Sequence, residues 1–252
     1  MKRLLYLLSI LSFTGCEDSS QATDFHQNII PSNTINQDSA LIKELDEDSI
    51  EYKIFPIDES ESDASIVEFI DKLKQIVANK DTSELFKVLG TAVVVSHGGA
   101  IYGIKEFSQT WNLDRPHESK LWTILTGHLA MGGTWEHNGE GTYFCIPYAL
   151  SNKVFSKYKY EFDWYYTAVC IHPLTKVYQE PDTTSQEAGT LSYDIVEIDP
   201  SYIQKDFTKI HTLNKKIKGY VLTKDLLCTA EPFLVIQKIN DHWKITSFAP
   251  FD

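Results

Sequence analysis

The end of the chain constrains the fold most. Phe233-Leu234-Val235-Ile236-Gln237-Lys238-Ile239 runs into Asn240-Asp241, and His242–Phe248 returns. Two runs rich in β-branched and aromatic residues, joined by a turn pair, read as a β-hairpin. An isolated hairpin is only marginally stable in water, so its apolar face has to be covered by a sheet or a helix. The strand signals just before it are already complete at about Leu227, which makes these two strands surplus to their neighbours. The hairpin is therefore expected to pack against elements from the N-terminal half, with the intervening stretch inserted.

That half supplies helices in need of a sheet. Ile66, Phe69, Ile70, Leu73, Ile76 and Val77 fall on one helical face, and Asp63 precedes them as a capping residue. Asp81 and Glu84 resemble a capping box ahead of a short second helix through Leu85, Val88 and Leu89, stopped by Gly90. Thr91–Ser96 reads as a strand. Ile104, Phe107 and Trp111 suggest a third helix, and Leu121, Trp122, Leu125 and Leu129 a fourth ended by Gly132-Gly133. Trp135 and Thr142–Ile146 flank Asn138-Gly139, a second hairpin signal. With Ile239-Asn240-Asp241-His242-Trp243-Lys244-Ile245 at the end, this order resembles the nuclear transport factor 2-like, or cystatin-like, fold. The resemblance implies early helices packed on a curved antiparallel sheet.

The stretch between reads differently. Val177-Tyr178-Gln179-Glu180-Pro181 leads into a polar turn, then Gly189-Thr190-Leu191 and Ile195–Ile198, Phe207–Ile210, and Gly219-Tyr220-Val221 with Lys224-Asp225-Leu226 behind. Short β-branched strands with polar turns at even spacing suit a small barrel. The pattern resembles the bacterial SH3-like family over about 165–229. Tyr178 stands where that family often has Arg, and Phe207 where it usually has Trp. The expected class is therefore α+β: helices on an antiparallel sheet plus a small all-β SH3-like barrel. The expected units are 63–164 plus 230–252, with 165–229 inserted between strands of the first.

The N-terminus carries an address. Lys2 and Arg3 precede the apolar run Leu4–Leu11, and Phe13-Thr14-Gly15-Cys16 follows. A run this short is below the roughly 20 residues that span a bilayer. The pattern resembles the bacterial lipobox, with Phe13 in the usual aliphatic place. It implies a signal peptide over 1–16, cleavage before Cys16, and lipid on that cysteine anchoring the chain in the bacterial cell envelope. The sequence leaves the membrane leaflet open. Residues 17–62 hold twelve acidic residues against Lys43 and Lys53 and read as an acidic polar tether. Leu41, Ile42, Leu45, Ile50, Ile54, Phe55 and Ile57 interrupt it, and a short helix or strand docking on the body fits there. The formal net charge is -12, which argues against nucleic acid as a partner.

No catalytic set stands out. His97-Gly98-Gly99 resembles an esterase donor loop, but no G-x-S-x-G elbow accompanies it. Cys145, Cys170 and Cys228 read as strand residues, buried small side chains with room for one disulfide and a thiol left over. The eight histidines form no H-E-x-x-H or H-x-H pair, and nucleotide loops are absent, so no metal and no cofactor is expected. The reading is a noncatalytic binding or scaffold lipoprotein whose partners are the membrane, through Cys16, and peptidoglycan, a peptide or a protein. Tyr178, Tyr193, Tyr202 and Tyr220 are its candidate ligand-binding residues, lining a groove on the barrel. A second reading is a cell-wall hydrolase whose site gathers His97, His117, His128, His137 and Cys145 from afar. A third is a structural or inhibitory partner protein with no small ligand. Aromatics crowd the first unit (Tyr102, Trp111, Trp122, Trp135, Tyr143, Tyr148) and the stretch Tyr158, Tyr160, Trp164, Tyr165, Tyr166, either as a binding groove or as packing.

Overall fold

A computed structural model describes residues 52–96, 98, 101–139, 141–157, 163–203 and 206–250. The expected signal peptide, Cys16 and the expected tether up to residue 51 lie outside the described residues.

The chain is α+β, with helices and two mostly antiparallel sheets. Helix α1 (Ala64–Ala78) is capped by Asp63, whose carboxylate accepts the Ser65 amide, and it buries Ile66, Phe69, Ile70, Leu73, Ile76 and Val77. Those spacings put six apolar side chains on one face, and burial of each contributes about 1.5–3 kcal/mol. Helix α2 (Thr82–Val88) is capped by Asp81 through the Glu84 amide. It ends one residue earlier than the apolar pattern suggested. Gly90 lies inside strand β1 (Leu89–Val94), not at a helix end. A Cβ there would sit 3.4 Å from the Ile245 carbonyl, so glycine lets the neighbouring strand approach closely. Helices α3 (Ile104–Thr110) and α4 (Leu121–Met131) follow. Gly132, at φ 78°, turns the chain out of α4 into the hairpin of β2 (Thr134–Asn138) and β3 (Gly141–Ile146).

After β3 and the short helix α5 (Asn152–Phe155) the chain builds a second sheet. Its strands are β4 (Thr167–Cys170), β5 (Thr175–Tyr178), β6 (Glu187–Leu191), β7 (Ile195–Ile203), β8 (Phe207–Thr212), β9 (Lys218–Leu222) and β10 (Leu226–Cys228). Only then do β11 (Leu234–Ile239) and β12 (His242–Ser247) return to the first sheet, whose order is β1-β12-β11-β3-β2. The β1–β12 pair is parallel and the rest antiparallel. The final hairpin thus fills the centre of a sheet begun some 140 residues earlier, between β1 and β3.

The second sheet runs β10-β4-β7-β8-β9-β5-β6 with antiparallel pairs throughout. Its order is open: among the described residues β6 and β10 are its edges and no pairing closes it into the expected barrel. The side chains of Glu187, Ala188 and Thr190 on β6 are exposed, which suits an edge facing water.

Three buried clusters follow from this layout. One lies between the helices and the first sheet, around Leu73, Trp122, Phe144, Ile236 and Phe248. A second, around Val177, Val196, Ile210 and Val221, fills the second sheet. A third joins the two units and includes Ile54, Leu150, Phe155, Ile171, Ile195 and Leu227. Residues 52–62, at the C-terminal edge of the segment expected as a tether, are docked on this body. The Ile54 amide donates to the Tyr193 carbonyl at 2.8 Å and the Ile195 amide to the Tyr52 carbonyl at 2.8 Å. The Lys53 ammonium meets the Asp194 carboxylate at 2.7 Å.

Candidate functional site

The tyrosines singled out on the second sheet do not form one surface. Tyr178 on β5 faces Tyr220 on β9 in register, and the Phe207 ring stands edge-on to Tyr178 at 6.2 Å. Tyr178 is buried and Tyr220 half-buried. Tyr193 sits elsewhere: it is 3% exposed, has φ 63°, and its ring meets Phe55 of the docked N-terminal segment at 5.8 Å. Its burial comes from residues that sequence reading assigned to the tether. The backbone of Tyr202 belongs to β7, while its side chain lies outside the described residues, as does Cys16.

The hydrolase candidates sit in separate surroundings. His97 lies outside the described residues. His117 is on an exposed 3₁₀ turn, Pro116–Glu118, and His128 is fully buried in α4 with Nε2 2.5 Å from the Pro232 carbonyl oxygen. His137 is exposed on β2 and Cys145 is buried in β3. No group of three or more His, Cys, Asp or Glu placed to hold a metal ion occurs among the described residues. The three cysteines there are free, with no disulfide between them. Burial raises the Cys145 thiol well above its ordinary range and pushes Cys170 and Cys228 up to about 11. At neutral pH all three are thiols, the unreactive form. Tyr143 donates to the Glu136 carboxylate at 2.8 Å, and burial with that hydrogen bond pushes its hydroxyl up to about 12.

Most of the aromatics of the first unit are packing. Trp111 stacks on Phe248 at 4.9 Å and donates its indole N–H to the Phe248 carbonyl. Trp122 is 2% exposed and donates to the Pro116 carbonyl at 2.6 Å, and Tyr148 is buried. Trp164, Tyr165 and Tyr166 are exposed.

Trp135 is different. It stands on β2 and, with Trp243 on β12, lines an open groove of about 760 Å³. The groove lies between the residues that lead into α1, Ser62 and Asp63, and side chains of β2, β3, β11 and β12. The register explains the company. Trp135 pairs with Phe144, His137 with Thr142, and Lys238 with Trp243, so the strands present these side chains in facing rows. The two indoles lie 5.8 Å apart at 44° and are partly buried. Their N–H groups tie the sheet to α1 and the 3₁₀ turn before it: Trp135 donates to the Ser62 hydroxyl at 2.9 Å and the Glu59 carbonyl at 3.2 Å, Trp243 to the Ser65 hydroxyl of α1 at 2.9 Å. The Glu59 carboxylate accepts the Trp135 amide and pairs with Lys153, and these contacts hold its pKa below the ordinary value against the opposing effect of burial, the largest single contribution.

Charge in the groove is sparse and mixed. Lys238 holds its ammonium 4.7 Å from the Trp243 ring centroid and 3.9 Å from the Asp63 carboxylate. Hydrogen bonds from the Ser65 hydroxyl and amide keep the Asp63 carboxyl below its ordinary range. His137 Nδ1 is 2.8 Å from the Thr142 hydroxyl. Such a set can hold a ligand by ring contact and a few polar groups; it contains no activated nucleophile. Sequence reading named Trp135 only as one of many aromatics and missed Lys238 and Trp243 as site residues. The usable signal was alternation: Lys238 shares a strand face with Leu234 and Ile236, Trp243 with Ile245, and Trp135 stands opposite Phe144. Comparison with family profiles, with characterised proteins and with solved structures found no match to this chain.

Proposed function

We propose that this chain is an envelope-anchored bacterial lipoprotein with a noncatalytic binding or scaffold role, held to the membrane by lipid on Cys16. The observation that carries the binding reading is the open groove lined by the partly buried Trp135 and Trp243 beside Lys238 and His137. Buried aromatics serve packing; a pair kept at the mouth of a groove offers contact area with polar handles. The inserted unit, 165–229, adds a surface that contacts peptide, peptidoglycan or a protein partner if it is SH3-like. What supports that reading is the run of short antiparallel strands joined by polar turns, among them the β7-β8-β9 meander. The glycine of Gly219-Tyr220-Val221 also has a physical reason, since a Cβ there would sit 2.3 Å from the Tyr178 carbonyl.

Two measurements test the proposal. Cells fed labelled palmitate are expected to label the protein, and Cys16→Ser to abolish the label and release the chain from membranes; label that survives the substitution refutes the anchor. The released chain is expected to be retained on purified cell-wall sacculi, and absence of retention refutes peptidoglycan as the partner.

A further inference from the structure

We propose that the groove between Trp135 and Trp243 binds a sugar that carries a carboxylate, with the pyranose ring against the indole corner and the carboxylate on Lys238. This rests on the reading of the chain as an envelope binding protein and names what that site takes.

The shape of the groove selects the ring. It is open and about 760 Å³, and its walls mix two half-buried indoles with Ser62, Asp63, His137 and Thr142. A purely apolar ligand is best held by an enclosed apolar pocket. A pyranose suits an open corner instead: its C–H face lies on an aromatic surface while its hydroxyl groups meet polar neighbours and water. The indoles are pre-oriented for this, because both N–H groups are spent, that of Trp135 on Ser62 and Glu59 and that of Trp243 on Ser65.

The charge selects the acid. Most of the chain's formal charge of -12 lies in residues 17–62, largely ahead of the folded body, and the groove itself is lined by one lysine, Lys238, and one carboxylate, Asp63. The Lys238 ammonium has three donors, and none is in a hydrogen bond among the described residues, since Asp63 stands at 3.9 Å, beyond hydrogen-bond range. The Asp63 carboxylate is instead occupied with the Ser65 hydroxyl and amide. His137 Nδ1 is engaged with Thr142, and its Nε2 has no partner among the described residues. The cation is held in place by the Trp243 ring, 4.7 Å away, with its donors unspent beside a sugar-sized space. One carboxylate next to a ring is what this arrangement complements. A polyanion is disfavoured, because the groove offers one lysine and carries the Asp63 carboxylate beside it.

The test uses the full-length protein in detergent micelles and follows the indole N–H signals of Trp135 and Trp243 by NMR. The probes are N-acetylmuramic acid and N-acetylglucosamine, which differ by the lactyl carboxylate. N-acetylmuramic acid is expected to shift both signals saturably and to bind at least about tenfold more tightly than N-acetylglucosamine. Lys238→Gln, a substitution at a side chain 47% exposed, is expected to keep the fold and erase that difference. Equal affinities for the two sugars, or a preference that survives Lys238→Gln, overturn the proposal. Unmoved indole signals in a protein that is retained on sacculi also overturn it, and leave the wider binding reading standing.

Discussion

Two buried charges carry testable consequences at the scale of single residues. Glu231 lies in the link between β10 and β11, half-buried, and burial pushes its carboxyl from 4.5 up to about 7. Because the folded chain holds this proton more tightly than the unfolded one, the contribution of Glu231 to stability is greatest below about 4.5, falls as pH rises to about 7, and is level above that. Glu231→Gln is expected to remove this slope, raising stability at pH 8 by about 2 kcal/mol and leaving pH 4 unchanged. Denaturant melts at the two pH values check it, and an unchanged difference between them sinks the assignment. The second charge is Lys53, whose side chain is 8% exposed and paired with Asp194 at 2.7 Å. Asp194→Ala leaves that ammonium buried without its carboxylate and is expected to cost about 3 kcal/mol in a thermal melt. Replacing both partners, Lys53→Met with Asp194→Leu, is expected to recover most of it, because the cost lies in the stranded charge rather than in the loss of the pair.

At the scale of elements, the decisive piece is the β11–β12 hairpin. It occupies the middle of the first sheet, with β12 on β1 and β11 on β3. Without it β1 loses its only strand partner named in the sheet order, and Leu73, Phe144 and Ile146 lose Leu234, Ile236, Ile245 and Phe248 as core neighbours. Deleting 231–252 is therefore expected to unfold the 63–148 region. The second sheet keeps all seven strands and its own cluster around Val177 and Val221. Amide hydrogen exchange is expected to show protection lost from α1 to β3 and kept from β4 to β10; protection retained in α1 refutes this account.

Across the whole molecule, the segment 52–62 acts as a strap over both units. Tyr52–Phe55 docks on Tyr193–Ile195 of the second sheet, while Glu59 binds Gly133, Trp135 and Lys153 beside the first. Ile54, 2% exposed, sits in the cluster that joins the units. Ile54→Ala is expected to lower stability by about 3 kcal/mol. Because the seam touches both units, fluorescence of the first and far-ultraviolet circular dichroism of the whole are expected to shift together, and a shift confined to one of them tells against a shared seam.

Local physics made much of this legible in the chain. The apolar face of α1, the caps Asp63 and Asp81, and both hairpin turns follow from spacing and residue type, because short-range hydrogen bonds and burial patterns repeat with the period of the backbone. The α+β class follows from the same patterns. What tertiary structure alone decided was long-range pairing. An edge strand and a closing strand look alike in sequence, so the open order of the second sheet, ending at β6 and β10, could not be read from its turns. Ile54 and Phe55 sit in an acidic, polar stretch, and only the surfaces they meet turn that stretch into a strap and bury Tyr193. The groove has the same origin. Trp135, Lys238 and Trp243 come from strands brought together by pairing beside the start of α1, and a local pattern carries no information about which distant strands pair.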